Sequence, residues 1–328
     1  MSRPWIWGLC VVVALLLGVL GLGVGSTGWQ SPWTMGGATS DPMAAEILWG
    51  IRAPRTVGAG LVGALLGLAG AVAQGLFRNP LAEPYLLGSS AGAGLCMAVL
   101  LTVGLPWMVA EGWWARVGLT GAAFVGALAG VGLTLLLARG AVHTMRLLLS
   151  GVVVGVVLGA LTQLLMVWSG EAWRVMQAFM LGNTALLGWQ ACGVMALVLS
   201  VSLPVGLLLA RVLDALSLGE DTARTLGVPL GLTRFALVAV MALATAAAVA
   251  QAGLVAFVGL VSPHLVRPWV GASHRQLLLG ASLMGAVLLM AADVMARWLL
   301  APQELPVGVL TAVLGGVYLL LVLHRRLP

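Results

Sequence analysis

The feature that most constrains this chain is a series of long, continuous apolar runs separated by short polar breaks. A helix needs about 20 apolar residues to cross the hydrocarbon core of a bilayer, and the runs reach or approach that length. Because apolar residues do not alternate with polar ones, a transmembrane β-barrel is excluded. The sequence therefore predicts an all-α polytopic membrane protein with one transmembrane domain over residues 1–328. The ten predicted spans lie at approximately residues 5–24, 55–76, 87–105, 115–138, 147–168, 189–210, 234–253, 255–270, 277–300 and 307–323.

Composition supports a membrane protein and excludes two other classes. Hydrophobic residues make up 61% of the chain and charged residues 8%, whereas soluble domains carry about 25% charge. All 16 basic residues are arginine, so no lysine is present to hold nucleotide phosphates in a P-loop, and the chain is not itself a Walker-type ATPase. No basic and aromatic cluster indicates nucleic-acid binding. Cys10, Cys96 and Cys192 lie singly in apolar runs, so we expect neither a metal site nor a disulfide from them.

The distribution of arginines predicts the orientation in the membrane. With the N-terminus in the cytoplasm, 11 arginines fall on the cytoplasmic side and five on the other side. This excess agrees with the positive-inside rule. Because ten spans return the chain to its starting side, both termini are expected in the cytoplasm.

Residues 211–234 form the longest stretch that is typical of soluble protein. Gly219 and a turn at residues 227–229 divide it into two short helices. Such an amphipathic pair on the cytoplasmic side can hold a soluble partner, and an ordinary loop between spans is the alternative. The leucines and charged residues at helical spacing are Leu213, Asp214, Leu216, Leu218, Glu220, Asp221, Arg224 and Leu226.

Three arginines mark the opposite side of the membrane. Arg52 and Arg55 lie about one helical turn apart at the start of the second span, where a helix N-terminus is already positive. Arg297 lies near the outer end of the ninth span, four residues after Asp293. An external anionic group is a natural partner for these cations, and lipid headgroups are the alternative.

The apolar runs contain few ionisable residues. Asp293 is the one carboxylate predicted inside a run, and no series of ionisable groups crosses the membrane. Ion- and proton-coupled transporters usually carry such groups. Energy is therefore expected from a soluble ATPase bound at residues 211–234. Two alternatives stay open: a proton-coupled secondary transporter that uses Asp293 as a relay, and a membrane scaffold that transports nothing.

Glycines recur at a spacing that lets helix backbones approach closely in lipid. Polar breaks at residues 77–84 and 253–263 follow the second and the seventh spans in the same way, which suggests an inverted repeat of the kind found in transporters. The glycine ridges are Gly151 with Gly155 and Gly159, Gly63 with Gly67, and Gly126 with Gly130.

Seven blocks, taken together, resemble the FecCD-type permeases. The resemblance extends in order from about residue 47 to the C-terminus. These permeases are membrane subunits of type II ATP-binding-cassette (ABC) importers for iron–siderophores, haem and cobalamin. The blocks are IRAPRT (51–56), LVGALLGLAGAVAQGLFRNPLAEPYLLGSSAGA (61–93), LLLSGV (147–152), LGEDTARTLGV (218–228), AFVGLVSPHLVR (256–267), ADVMAR (292–297) and PQELPVGVLTAVLGG (302–316).

The resemblance implies an assembly in the bacterial inner membrane. It implies ten spans per chain and two copies, as a homodimer or a pair of homologues, around a central pathway. Two further partners are a cytoplasmic ABC ATPase dimer and a periplasmic substrate-binding protein. ATP and Mg²⁺ would be bound by the ATPase, and no cofactor by this chain. The expected cargo is an iron–siderophore or haem, with cobalamin next.

The resemblance also implies roles for particular residues. Arg52, Arg55 and Arg297 match arginines that receive carboxylates of the binding protein. The fifth span resembles the pathway-lining helix, and residues 170–188 resemble a short helix over the pathway mouth. No catalytic or metal-binding residue is expected. The wall of the pathway is assigned to Gly151, Gly155 and Gly159, and coupling to the ATPase to Leu218, Gly219, Glu220, Asp221, Arg224 and Gly227.

Overall fold

The structure is a computed structural model, which describes residues 4–25, 28–36, 41–103, 113–141, 143–167 and 170–326. These residues are almost entirely helical. The two-residue strands β1 (Val24–Gly25) and β2 (Gly28–Trp29) form the one sheet in the described part of the chain. In chain order the helices are α1 (Pro4–Gly23), α2 (Pro32–Met35), α3 (Pro42–Glu46), α4 (Ala53–Phe77), α5 (Ser89–Val103), α6 (Trp113–Leu137), α7 (Thr144–Val167), α8 (Gly170–Leu181), α9 (Trp189–Leu208), α10 (Ala210–Ser217), α11 (Glu220–Thr225), α12 (Leu230–Ala252), α13 (Val258–Val270), α14 (His274–Trp298) and α15 (Val307–Arg326).

Each of the ten predicted spans overlaps one of these helices, and the predicted all-α polytopic fold is confirmed. Within the described ranges, seven helical stretches are long and apolar enough to cross a membrane: α1, the continuous stretch from α3 to α4, α6, α7, α9, α12 and α14. The helix α13 has 13 residues. At 1.5 Å per residue it is about 20 Å long, which is less than the roughly 30 Å of a hydrocarbon core. The helices α5 and α13 are therefore shorter than the runs that predicted them.

Both predicted breaks begin where a long helix ends, but the second is shorter than predicted, because α13 already begins at Val258 and includes Pro263. The C-cap residue after α4 is Arg78, which has a left-handed backbone (φ 49°), and a 3₁₀ turn (Pro84–Leu87) then leads into α5. The C-cap residue after α12 is Gly253, which has φ 70° and ψ −156°. A Cβ at Gly253 would overlap the carbonyl oxygen of Phe179, so only glycine fits this position.

The two breaks are hydrogen-bonded to each other. The hydroxyl of Tyr85 donates to the carbonyl oxygen of Val255 at 3.1 Å, and the backbone N–H of Phe257 donates to the carboxylate of Glu83 at 3.2 Å. Phe257 is the N-cap of α13, so the carboxylate lies at the positive end of that helix dipole. The corresponding breaks thus form one contact, while the inverted repeat stays a prediction.

The helix α4 lies at the centre of the bundle and packs against α14, α12, α13 and α9. A Cβ at Gly63 would overlap the carbonyl oxygen of Gly285, and one at Gly67 would overlap that of Ala281. The helix α6 approaches α5 in the same way at Gly126 and Gly130. The ridge of Gly63 and Gly67 and the ridge of Gly126 and Gly130 are therefore both helix-packing surfaces. The end of the bundle where α4 begins is called the Arg55 end below, and the opposite end the α11 end.

Candidate functional site

The predicted soluble stretch at the α11 end folds into two short helices, α10 and α11. Gly219 separates them with φ 114°, and Gly227 turns the chain towards α12 with φ 78°. Both values lie in the left-handed region that favours glycine. Backbone geometry therefore explains the two glycines of the predicted coupling block.

The two short helices have a buried face and an exposed face. Leu213 and Leu216 of α10 and Ala223 of α11 are buried against the bundle. The opposite side combines exposed leucines with charged side chains. This side, called the outer face of α11, consists of Asp221 and Arg224 of α11 with the flanking Leu218 and Leu226.

Glu220 differs from Asp221 because its side chain points into the bundle. Its Oε1 lies 2.7 Å from Nη2 of Arg234 and 3.7 Å from Nη2 of Arg78, and it accepts a hydrogen bond from Oγ1 of Thr144 at 3.4 Å. Burial alone would raise the pKa of Glu220, but the hydrogen bond and charge of Arg234, with the charge of Arg78, bring this pKa below its ordinary value. The carboxylate is therefore ionised at neutral pH.

Asp214 of α10 makes a second contact with the bundle. Its Oδ1 accepts a hydrogen bond from the backbone N–H of His274 at 2.9 Å and lies 2.7 Å from the ring Nδ1 of the same residue. His274 is the first residue of α14. Two carboxylates thus join the α10–α11 pair to α4, α7, α12 and α14.

A cavity of about 440 Å³ opens beside these contacts, and its lining includes Arg78, Arg267 and His274. Arg78 follows the last residue of α4, and Arg267 lies in the last turn of α13. Helix C-termini carry partial negative charge, which nearby cations compensate. The positive lining is therefore explained by the two helix ends.

At the Arg55 end, Asp293 lies between two of the predicted arginines. Its Oδ1 is 3.0 Å from Nε of Arg55 and accepts a hydrogen bond from Oγ1 of Thr184 at 2.6 Å, while its Oδ2 pairs with Arg297. Glu304 lies 2.6 Å from Nη1 of Arg55, with 29% of its side chain exposed. Two arginines and two carboxylates make this cluster electrically neutral.

Arg52 lies apart from that cluster. It donates hydrogen bonds to the carbonyl oxygen of Gly23 at 3.0 Å and to Oε1 of Gln30 at 2.8 Å. These partners are neutral, and no carboxylate in the described ranges pairs with Arg52. The structure thus brings Arg55 and Arg297 together, leaves Arg52 separate and buries all three in the isolated chain.

The glycines of α7 have two different environments. Gly151 packs against the 3₁₀ turn before α5, since a Cβ there would overlap the carbonyl oxygen of Leu86. Gly155 and Gly159 have open space beside them. The nearby valines of α7 are exposed as well, so this helix presents an apolar face that the single chain does not cover: Val152, Val153, Val156 and Val157.

The helix α8 occupies the first part of the stretch predicted as a short helix over the pathway mouth. Near its end, the carbonyl oxygen of Phe179 accepts a hydrogen bond from the backbone N–H of Leu254 at 3.0 Å. Leu254 belongs to the break between α12 and α13. The helix α8 is therefore attached to the second break.

Sequence reasoning missed five polar residues of the two charged clusters: Arg78, Thr144, Thr184, Arg234 and Glu304. Arg234 and Glu304 are single charges at the ends of apolar runs, and such charges usually pair inside a membrane protein. That signal could have identified Arg234 and Glu304, whereas nothing in the sequence pointed to the two threonines. In the described part of the chain, no group of three His, Cys, Asp or Glu residues could hold a metal ion.

Sequence and fold are both similar to those of known transport proteins. The FecCD transport family matches residues 10–325. The hemin transport system permease protein HmuU of Yersinia pestis is 40% identical over 325 residues, which cover 97% of this chain and 94% of that protein. The vitamin B12 import system permease protein BtuC of Escherichia coli O17:K52:H18 is 42% identical over 314 residues, with coverages of 94% and 92%. A structure of a metal-chelate type ABC transporter in an inward-facing conformation gives a TM-score of 0.87 at 27% identity, with coverages of 98% and 100%.

Proposed function

The chain belongs to the FecCD transport family and is the membrane permease of an ABC importer, not an enzyme, and we propose that its cargo is a metal chelate of the haem or cobalamin type. The observation that carries this proposal is the similarity to permeases named for hemin and for vitamin B12, at 40% and 42% identity. These relatives favour haem and cobalamin over the iron–siderophores also expected from the sequence. ATP binding belongs to the ATPase partner.

An importer permease works with an ATPase, and we propose that this partner binds the outer face of α11. Exposed leucines beside charged residues, outside the long apolar helices, support the assignment because they offer both apolar area and specific pairing. Gly219 and Gly227 shape the turns that present this face. Closure of the ATPase around ATP would then move α10 and α11 against the bundle.

An importer of this family also receives its cargo from a binding protein, and we propose that it docks at the Arg55 end. Arg52 has neutral partners only in the described ranges, so an external carboxylate would supply a counter-charge. A second carboxylate can reach Arg55 by replacing the partly exposed Glu304. Arg297 supports this site indirectly, because it pairs with Asp293, which in turn pairs with Arg55.

We further propose that two copies of the chain enclose the pathway. The uncovered apolar face of α7, with open space at Gly155 and Gly159, favours this helix as the wall, with Gly151 fixing it to the first break. A large chelate crosses best where no wall residue holds it tightly. In this arrangement residues 1–328 act as one permease domain in the bacterial inner membrane, with the α11 end and both termini in the cytoplasm.

Reconstitution into liposomes tests the proposal. The chain and the ATPase that co-purifies with it are combined with the binding protein, loaded with haem or cobalamin, and ATP hydrolysis and uptake are measured. We expect both rates to rise with one of the two loaded proteins. Uptake that follows a proton gradient without ATP would contradict the proposal, and it is not expected because Asp293 is held by Arg55, Arg297 and Thr184.

A further inference from the structure

A single oxygen of Glu220 contacts three long helices, through Arg234 of α12, Arg78 at the end of α4 and Thr144 at the start of α7. The side chain of Arg234 is 2% exposed and that of Glu220 is 26% exposed, so the short ion pair between them is largely shielded from water. Charges interact more strongly in such surroundings than on the surface. Replacing Glu220 with a neutral residue would remove this pairing from Arg234, whereas losing Arg234 would leave Glu220 with the more distant Arg78.

The backbone joins α11 to the bundle less firmly. The helix has six residues and lies between Gly219 and Gly227, both with positive φ. Small residues at the ends of an element readily absorb a change in direction. A displacement of α11 is therefore transmitted mainly by its side chains, and Glu220 is its charged contact with the bundle.

The adjacent acidic residue provides a comparison within the same helix. Asp221 is fully exposed, and its Oδ1 lies 3.8 Å from Nη1 of Arg224 on the outer face of α11. Consecutive side chains on a helix differ by about 100° in direction. The two acidic residues that begin α11 consequently face opposite environments, the bundle for Glu220 and the outside for Asp221.

We propose that Glu220 is a positioning residue that ties α11 to α4, α7 and α12, and that it does not contact the ATPase. This inference rests on the proposed function, in which the ATPase binds the outer face of α11. A movement of α11 then displaces the starts of α7 and α12 and the end of α4 together. Because α7 carries the proposed pathway wall, Glu220 converts ATPase motion into a change at the pathway.

The variants Glu220→Gln and Asp221→Asn separate the two roles. Affinity for the ATPase and uptake per ATP hydrolysed are measured for each in liposomes. For Glu220→Gln we expect unchanged affinity and about threefold to tenfold less uptake per ATP, which lies within the range typical of residues that carry coupling. For Asp221→Asn we expect weaker affinity with uptake per ATP preserved. Reduced affinity with intact coupling in Glu220→Gln would overturn the proposal, and so would the absence of any change.

A double-mutant cycle tests whether Glu220 acts through its partner. If it does, Glu220→Gln combined with Arg234→Gln lowers uptake per ATP no further than the stronger single change. Additive losses would contradict the tie. Thr144→Val, which keeps shape and charge, provides a milder variant if the buried arginine cannot be replaced without unfolding, and we expect a smaller loss of the same kind.

Hydrogen exchange on the permease alone distinguishes this inference from the proposed function. We expect Glu220→Gln to increase amide exchange in α11 and at the starts of α7 and α12 together. Faster exchange confined to α11, or none, would overturn the tie even if the ATPase binds normally. If the unaltered chain recruits no ATPase, the proposed function fails, and the exchange pattern still decides whether the tie exists.

Discussion

Asp293 and Glu220 each lie between two arginines, at opposite ends of the same bundle, yet their surroundings differ. Asp293 is 1% exposed and belongs to the interior of α14, where both of its oxygens are bonded. Glu220 is 26% exposed and belongs to a six-residue helix between two glycines. The same arginine–carboxylate pairing therefore forms two kinds of contact. The contact of Asp293 is enclosed by packed helices and is called the sealed joint. The contact of Glu220 is partly open to solvent at the edge of a surface segment and is called the half-open joint.

Among the substitutions that test this comparison, Asp293→Asn is expected to cause the largest loss of unfolding free energy. Arg55 and Arg297 would share the single carboxylate of Glu304, and breaking a buried ion pair costs about 3–5 kcal/mol of unfolding free energy. Chemical or thermal unfolding in detergent measures the loss. The matched change Glu220→Gln should cost about 1–2 kcal/mol, the scale of a weakened hydrogen bond to a charged group. Equal losses would remove the distinction between the two joints.

The contact between α4 and α14 lies between the two joints, and a substitution there should lower the free energy of unfolding less than Asp293→Asn does. Gly285→Ala places a methyl group against the backbone of α4 at Gly63, and overpacking of this kind costs about 1–3 kcal/mol. Gly193→Ala is the control, because a Cβ at Gly193 has nothing within 4 Å. Unfolding under the same conditions should show a loss for the first variant only, and an equal response would mean that α4 and α14 are not in close contact.

Acid pH should remove the stabilising contribution of Glu220, which is smaller than the losses expected for Asp293→Asn and Gly285→Ala. The pKa of Glu220 is lowered from 4.5, so its stabilising contribution is complete above about pH 4.5 and is lost as the pH falls through the lower value of the folded state. We expect the unfolding temperature of the unaltered chain to approach that of Glu220→Gln as the pH falls below 4.5. A constant difference between the two down to pH 3 would contradict the ionised pair.

Asp221→Asn should have the smallest effect on stability. Asp221 is fully exposed, and surface pairs such as the one with Arg224 contribute little. No measurable shift in unfolding temperature is expected in the isolated permease. A clear loss would mean that Asp221, and not Glu220, faces the bundle.

Local sequence patterns were sufficient to predict the helices, whereas the geometry of the two charged clusters depends on contacts between residues far apart in the chain. The apolar runs and the breaks identified the helices because each depends on neighbouring residues, although only seven helical stretches in the described ranges are long and apolar enough to cross a membrane. The opposite directions of Glu220 and Asp221 could not be predicted, since they depend on contacts such as that of Glu220 with Arg234 of another helix. Glu304 was missed because Arg55, its partner, is 249 positions away. The glycine spacing of α7 likewise gave no indication that Gly151 is packed and Gly155 is open.

The glycine contact between α4 and α14 has a mechanical consequence. Where backbone meets backbone at Gly63 and Gly285, neither helix can slide or rotate past the other without steric overlap. We therefore expect the two 25-residue helices to move together as one lever about 37 Å long. A tilt of about 5° moves one end of such a lever by about 3 Å relative to the other. In the proposed assembly, a binding protein at the Arg55 end and an ATPase at the α11 end would act on the two ends of these helices.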